Sequence, residues 1–392
     1  MKVVIAIDSF KGSLSSMDAG RAAAVGVKKA LHAPGMANCP EGSNDEAADV
    51  QVVVKPLADG GEGTTDALVE GLGGTYAYVE VTGPFGKPVK AKYGILSDGI
   101  TAVMEMAEAA GITLADKSEL NPWRATTYGV GEMIRDAIKK GCRKFIIGIG
   151  GSATTEGGVG MLSALGYEFL KKDGTPITPD MQELDQIEQI SGEHAIPELK
   201  ECRFQIACDV KNPLYGEMGA VYVYGPQKGV KEEEKENFDS KMKHYAAKSA
   251  AFTGKDCSLV EGAGAAGGLG YAFISYIPNV ELKPGIEIVL DAIRLEEELA
   301  DADVVITGEG RMDAQTAMGK VPVGVAKLAK KYQIKVIAFA GGVTEDAVEC
   351  NGAGIDAFFP IVRGVTTLEE AMEPDTARKN MSLAVEQVFR LL

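Results

Sequence analysis

The feature that most constrains this chain is a recurring unit: a short apolar run, rich in β-branched residues, that stops at a glycine-bearing turn and gives way to a helical pattern. Val3–Ile7 stops at Asp8-Ser9-Phe10-Lys11-Gly12-Ser13 before a helix over Ala19–Leu31. Val50–Val54 leads to Pro56-Leu57-Ala58-Asp59-Gly60-Gly61-Glu62-Gly63-Thr64 and a helix over Thr65–Glu70. Phe145–Ile149 stops at Gly150, Val304–Thr307 at Gly308, and Val336–Ala340 at Gly341. Runs without alternation are covered on both faces, so this pattern predicts parallel α/β architecture of Rossmann-like type. In such sheets ligands bind at the carboxyl ends of the strands, where these turns lie.

Two stretches read differently. Tyr76–Leu96 alternates and is broken by Gly83-Pro84, as antiparallel hairpins are, and Phe204–Val223 is a mixed segment around Pro213. The expected organisation is a discontinuous Rossmann-like α/β domain, residues 1–75 and 286–392, with an inserted mixed α+β domain, residues 76–285. The segment around Phe145, residues 115–165, is assignable to either. Met36–Asp49 reads as a surface excursion, and Lys231–Lys248 as a helix with a solvated face.

Composition removes several classes of function. Forty Lys+Arg against 56 Asp+Glu give a net charge of −16, which argues against a nucleic-acid or anionic-membrane binder but leaves an anionic small substrate open. The cysteines at 39, 142, 202, 208, 257 and 350 form no CxxC pair, and the three histidines lie far from them, so a zinc site is not expected. They read as core thiols in a reducing compartment. MKVVIAIDSF reads as an opening strand rather than a signal peptide, and no stretch approaches the ~20 apolar residues of a membrane span. A cytoplasmic protein is expected; no oligomeric state is assigned.

Gly148-Ile-Gly-Gly-Ser-Ala-Thr-Thr-Glu-Gly-Gly158 has the composition of a phosphate cradle: glycine amides, the hydroxyls of Ser152, Thr154 and Thr155, and a helix start over Val159–Leu165. It is not a Walker A loop, since GxxxxGK[ST] is absent. Asp8 with Lys11, and Asp59 with Glu62, suit general-base or Mg²⁺ duty at strand ends, against the alternative of helix capping. Gly308-Glu309-Gly310-Arg311-Met312-Asp313 supplies two acids and an Arg fork for a carboxylate or phosphate, with Lys320 in reach of the same anion. In Cys208-Asp209-Val210-Lys211-Asn212-Pro213, Asp209 and Asn212 either bond a hydroxyl-bearing substrate or make an Asx turn. Gly262-Ala-Gly264-Ala-Ala-Gly267 matches GxGxxG without a full strand before it. No Ser-His-Asp or Cys-His set can be assembled. Chemistry must run on acids, cations and amides, a set that suits phosphoryl transfer.

Taken together, Asp8–Ser15, Pro56–Thr64, Gly148–Gly158, Cys208–Leu214, Gly262–Gly270 and Gly308–Thr316 resemble the motifs of the bacterial glycerate kinases of type I, in order and along nearly the whole chain. The resemblance implies two α/β domains flanking a cleft that holds the active site. It implies transfer of the ATP γ-phosphoryl group to D-glycerate with Mg²⁺, with 2-phosphoglycerate favoured as product. Carried over residue by residue, Gly150, Gly151, Ser152 and Thr154 hold phosphates, and Lys11 and Arg311 neutralise the transferred group or bind the carboxylate. Asp209 or Asp313 takes the hydroxyl proton, Ser9, Asn212 and Lys320 contact substrate, and Asp8, Asp59, Glu62 and Glu309 are candidates for Mg²⁺. Thr155 stands where an Asn or Asp is expected. The competing reading is an NAD(P)-dependent oxidoreductase acting on a small hydroxy acid, which requires a strand before Gly262 and a ribose-binding acid such as Glu281 or Glu287.

Overall fold

Val3–Ile7 carries no polar alternation because the strand it belongs to, Lys2–Ile7, is buried at every residue. The structure, a computed structural model, describes residues 1–31 and 50–392; His32, Cys39 and the Met36–Asp49 excursion lie outside the described residues. Contacts divide the chain into two units, Met1–Asp59 with Glu70–Leu72 and Val289–Leu392, and Gly60–Val69 with Gly73–Ile288.

The first unit is built on an all-parallel sheet of five strands, in the spatial order Ala357–Pro360, Lys335–Val343, Val304–Met312, Lys2–Ile7 and Gln51–Pro56. Two strands outrun the sequence expectation. Val304–Met312 and Lys335–Val343 stay paired as far as Met312↔Val343, so Gly308 and Gly341 lie inside strands instead of ending them. Gly308 is there for close approach: a Cβ at this position would lie 2.0 Å from the Phe339 carbonyl oxygen. Helix Ser16–Leu31 packs its buried Ala19, Ala23 and Val27 into one core with Met381, Val385 and Phe389 of helix Pro374–Phe389. Ser15 Oγ accepts from the Asp18 amide and caps the first of these helices (3.1 Å). Ser16 Oγ donates to the Ile7 carbonyl and accepts from the Leu57 amide, both at 2.7 Å, which fastens two strand tips side by side.

The second unit holds a mixed sheet of six strands, in the order Val280–Lys283, Arg203–Ala207, Lys144–Gly148, Thr101–Glu105, Pro88–Ile95 and Thr75–Thr82. The first four are parallel; the last two run antiparallel and form the hairpin that the alternation of Tyr76–Leu96 announces. Register aligns Glu105 with Gly148, Gly148 with Ala207 and Ala207 with Lys283, so the four parallel strands end level. The Gly60 turn is seated on these ends, and a Cβ on Gly60 would lie 2.6 Å from both Ala207 and Gly285. By contacts, Gly60–Val69 go with the second unit and Glu70–Leu72 with the first.

Lys231–Lys248 is not simply a solvated helix. Within helix Lys235–Thr253, Phe238, Met242, Tyr245 and Ala246 are buried in the core, and Lys241 is buried with them, donating to Gln182 O (2.9 Å) and paired with Asp185. The charged sequence hides an apolar stripe because the lysine stem packs as hydrocarbon while its head finds partners. Cys142, Cys202, Cys257 and Cys350 are buried free thiols and Cys208 is half-buried. Among the described residues, no helix is long and apolar enough to cross a membrane.

Candidate active site

In the first unit the strand ends gather charge. Asp8, directly after Lys2–Ile7, donates its amide to Gly308 O (2.9 Å), and its carboxylate accepts from the Ser9 amide (2.7 Å). Burial pushes the Asp8 carboxyl up to about 7; Asp59 and Glu309 reinforce this by repulsion, while the Ser9 amide and Lys11 oppose it. Glu309 is buried and also raised, first by desolvation, and accepts from Thr316 Oγ1 (2.5 Å). Asp8 is not a helix cap, since Ser15 takes that task. Buried like charges at strand ends are a costly arrangement that a hard cation relieves.

Lys11 and Arg311 are exposed, the latter with 71% of its side chain free to solvent. Arg311 sits within a strand rather than the expected loop, next to Gly310, whose Cβ position lies 3.8 Å from the Lys11 amide nitrogen. Asp313 has structural duties: its carboxylate accepts from the Gln315 amide (3.0 Å) as cap of Ala314–Ala317, and Arg311 Nε and Lys320 Nζ each stand 3.8 Å from it. In the first unit Asp59 and Glu309 thus each raise the Asp8 carboxyl by repulsion, and Arg311 and Lys320 stand within ion-pairing distance of Asp313.

In the second unit Gly150 and Gly151 are exposed, directly beyond Lys144–Gly148, and Gly151 adopts φ +73°. Ile112 donates to Gly151 O (2.8 Å) and Ala153 donates to Ala110 O (2.9 Å), which pins the loop from one side. Among the described residues no backbone carbonyl accepts from the amides of Gly150, Gly151 or Ser152. Three successive amides that no backbone carbonyl takes up, at a strand end, are the kind of donor set that anion-binding nests employ.

The rest of the glycine-rich stretch is not part of that donor set. Thr154 and Thr155 are fully buried, and Thr154 Oγ1 has no partner among the described residues. The positive end of helix Val159–Ala164 is occupied by the protein's own Glu156. That carboxylate is fully buried and accepts from the Thr127 amide (2.7 Å), Thr127 Oγ1 (2.6 Å) and the amides of Gly158 and Gly160. The expected contribution of this helix terminus to phosphate binding is thus replaced by Glu156.

Asp209 lies past Arg203–Ala207, level with the Gly150 loop, and its Oδ1 accepts from the Gly285 amide (3.0 Å). Asn212 is bound within its own turn: it donates to Met218 O (2.8 Å) and accepts from Tyr224 Oη (2.6 Å). Ser9 is half-buried beside Asp8, and Glu62 is exposed on the Gly60–Gly63 turn. Three buried charges escaped the sequence reading. Glu105 ends its strand and accepts from the amides of Gly63 (3.3 Å) and Thr65 (2.9 Å), and Glu156 holds the helix start. Lys228, 2% exposed, donates to Ser152 Oγ and Thr154 O at 2.7 Å each. Glu105 was findable as an acid closing the apolar run Thr101–Met104; Lys228, in Gly-Pro-Gln-Lys-Gly, carries no sequence pattern.

The GxGxxG match is a packing element. No strand runs into it, and a Cβ on Gly267 would lie 2.0 Å from Thr154 O, so the glycines let two backbones touch. The Gly157 amide donates to Gly267 O at 2.9 Å. The dinucleotide reading therefore loses both the strand and the open loop it needs.

Fold and loops define a two-unit α/β protein whose strand ends carry glycine amides on one unit and clustered carboxylates with cations on the other. The Glycerate kinase family profile matches residues 3–392. Glycerate kinase of Bacillus subtilis is 44% identical over 95% of this chain and 93% of its own length. Glycerate 2-kinase of Escherichia coli is 42% identical, again over 95% and 93%. A crystal structure from Salmonella typhimurium LT2, provisionally described as glycerate kinase 2, superposes with a TM-score of 0.88 at 40% identity, covering 100% of this chain and 98% of that one. The chain belongs to the glycerate kinase family.

Proposed function

We propose that the protein transfers the γ-phosphoryl group of ATP to the C2 hydroxyl of D-glycerate, giving 2-phosphoglycerate and ADP. What carries this reading is the 44% identity along 95% of the chain to an enzyme named glycerate kinase. In the transfer, an O–P bond forms to the glycerate oxygen, the β–γ bridging P–O bond breaks, and the hydroxyl proton passes to a base. The amides of Gly150, Gly151 and Ser152 are assigned to phosphate oxygens; Thr154, expected among them, is wholly buried and is left out of the set. Lys11 and Arg311, with Lys320 and Ser9, are assigned to the carboxylate and the transferred group, where charge neutralisation does most of the work. Asp209 and Asp313 both keep the assignment as base; Asp209 accepts from the Gly285 amide and Asp313 from the Gln315 amide.

The donors present fit Mg²⁺. Asp8, Asp59 and Glu309 offer hard carboxylate oxygens whose mutual repulsion a cation would relieve, and Glu62 is a further carboxylate candidate. Among the described residues no three His, Cys, Asp or Glu are grouped closely enough to hold a metal by themselves, so any Mg²⁺ here would need phosphate oxygens to complete its coordination. When bound, Mg²⁺ would neutralise phosphate charge. Asp8 would help to hold it, and Thr316 Oγ1, donating to Glu309, fixes the orientation of that carboxylate.

Lys11→Ala and Arg311→Ala are each expected to lower kcat/KM by about 10²-fold while leaving thermal stability unchanged, since both side chains are exposed. Steady-state assays of ADP release with D-glycerate check this. Rates within threefold of the parent would remove the residue from the reaction.

A further inference from the structure

A lysine is rarely buried without a task, because desolvating an ammonium outweighs what ordinary packing returns. Lys228 ends the short turn Pro226–Lys228 and is almost wholly enclosed. Its Nζ bonds Ser152 Oγ and the Thr154 carbonyl, so one side chain holds both ends of Ser152–Thr154. On the other side the loop is held by Ile112 and Ala110. Ser152 Oγ accepts from Lys228, so its own hydrogen points elsewhere, and among the described residues no acceptor takes it. Burial pushes Lys228 down to about 7 and the Glu156 carboxylate opposes that shift, so a further anion brought near would favour its charged form.

We propose that Lys228 is a positioning residue for nucleotide phosphate. By holding Ser152 Oγ and the Thr154 carbonyl, it turns the Ser152 hydroxyl outward as a donor and sets positive charge behind the Gly150–Ser152 amides. The polarised hydroxyl is a stronger donor than a serine alone, because hydrogen bonds in series reinforce one another. This inference rests on the reading of the Gly150 loop as the phosphate site. It adds a residue on a distant turn, 76 positions along the chain from Ser152.

The test is calorimetric titration of ATP–Mg²⁺ in the absence of glycerate, together with KM values for both substrates. The proteins are the parent, Lys228→Met, Ser152→Ala, the double variant, and Gly150→Val as control. Each single change is expected to weaken ATP binding by about tenfold or more, the range of a charge-assisted hydrogen bond, while the glycerate KM stays within about threefold. Because both act through one contact, the double variant is expected to bind no more than about threefold worse than Lys228→Met. Folded Lys228→Met or Ser152→Ala protein with parental ATP affinity overturns the proposal. So does a double variant showing the full product of the two losses, or an equal rise in both KM values. Should Lys228→Met not fold, Ser152→Ala decides the matter by itself. If Gly150→Val loses ATP binding while these variants keep it, only the role of Lys228 fails; if Gly150→Val binds normally, the phosphate-site reading fails and takes the proposal with it.

Discussion

Replacing Asp8 by Asn is expected to lower kcat by about 10³-fold and, without divalent cation, to make the protein more stable than its parent at pH 8. The two effects have one source. In the folded state the Asp8 carboxyl titrates at about 7, raised from 3.8 by burial and by Asp59 and Glu309. The folded protein thus holds a proton that the unfolded chain releases at lower pH. Stability attached to this group is fully present below about pH 4 and is lost as pH rises through about 7, by up to about 4 kcal/mol at 1.36 kcal/mol per pH unit. Asparagine keeps an oxygen to accept from the Ser9 amide and never ionises, so the variant escapes that loss. Thermal melts at pH 4 and pH 8, with and without Mg²⁺, measure it. The parent is expected to gain from Mg²⁺ at pH 8 and the variant to gain much less. Equal melting behaviour of the two at both pH values would show that Asp8 carries no such stress and would remove the case for a cation there.

Gly150→Val is expected to cost at least about 10³-fold in ATP affinity, about 4 kcal/mol, with no change in melting temperature. Among the described residues, chain neighbours aside, a Cβ at Gly150 meets no atom within 4 Å, and the residue is exposed, so there is room for the side chain. A ligand resting on the backbone does not. Most glycine-loop substitutions confound strain with binding, since a left-handed φ penalises any side chain; Gly151, at φ +73°, is of that kind. Gly150 separates the two. Loss of ATP binding at parental stability locates phosphate against this strand end, whereas parental binding would vacate it.

The parts of the fold legible in the sequence were those written in local pattern. Lys2–Ile7 and Lys144–Gly148 announce buried parallel strands through unbroken apolar runs, and Thr75–Thr82 with Pro88–Ile95 announces a hairpin through alternation. Glycine was misleading as a stop signal at Gly308 and Gly341, because what requires glycine there is a neighbouring backbone within the sheet. The same ambiguity made Gly262–Gly270 look like a nucleotide loop, when its glycines admit the chain at Thr154. At the candidate site, residues that follow strands were readable from position: Asp8, Asp59, Gly150 and Asp209. What was hidden is what supports them. Glu156 stands inside a legible motif, yet its role depends on Thr127, and Lys228 reaches the loop from a turn with no periodicity. Tertiary contacts of this kind leave no trace in spacing.

Phosphorylation of glycerate by this chain is decided by phosphorus NMR of a reaction containing the protein, D-glycerate, ATP and Mg²⁺. One new phosphomonoester resonance is expected, that of 2-phosphoglycerate, growing in step with ADP. A spectrum in which ATP persists unchanged, or in which the ester sits on the C3 oxygen, would contradict it.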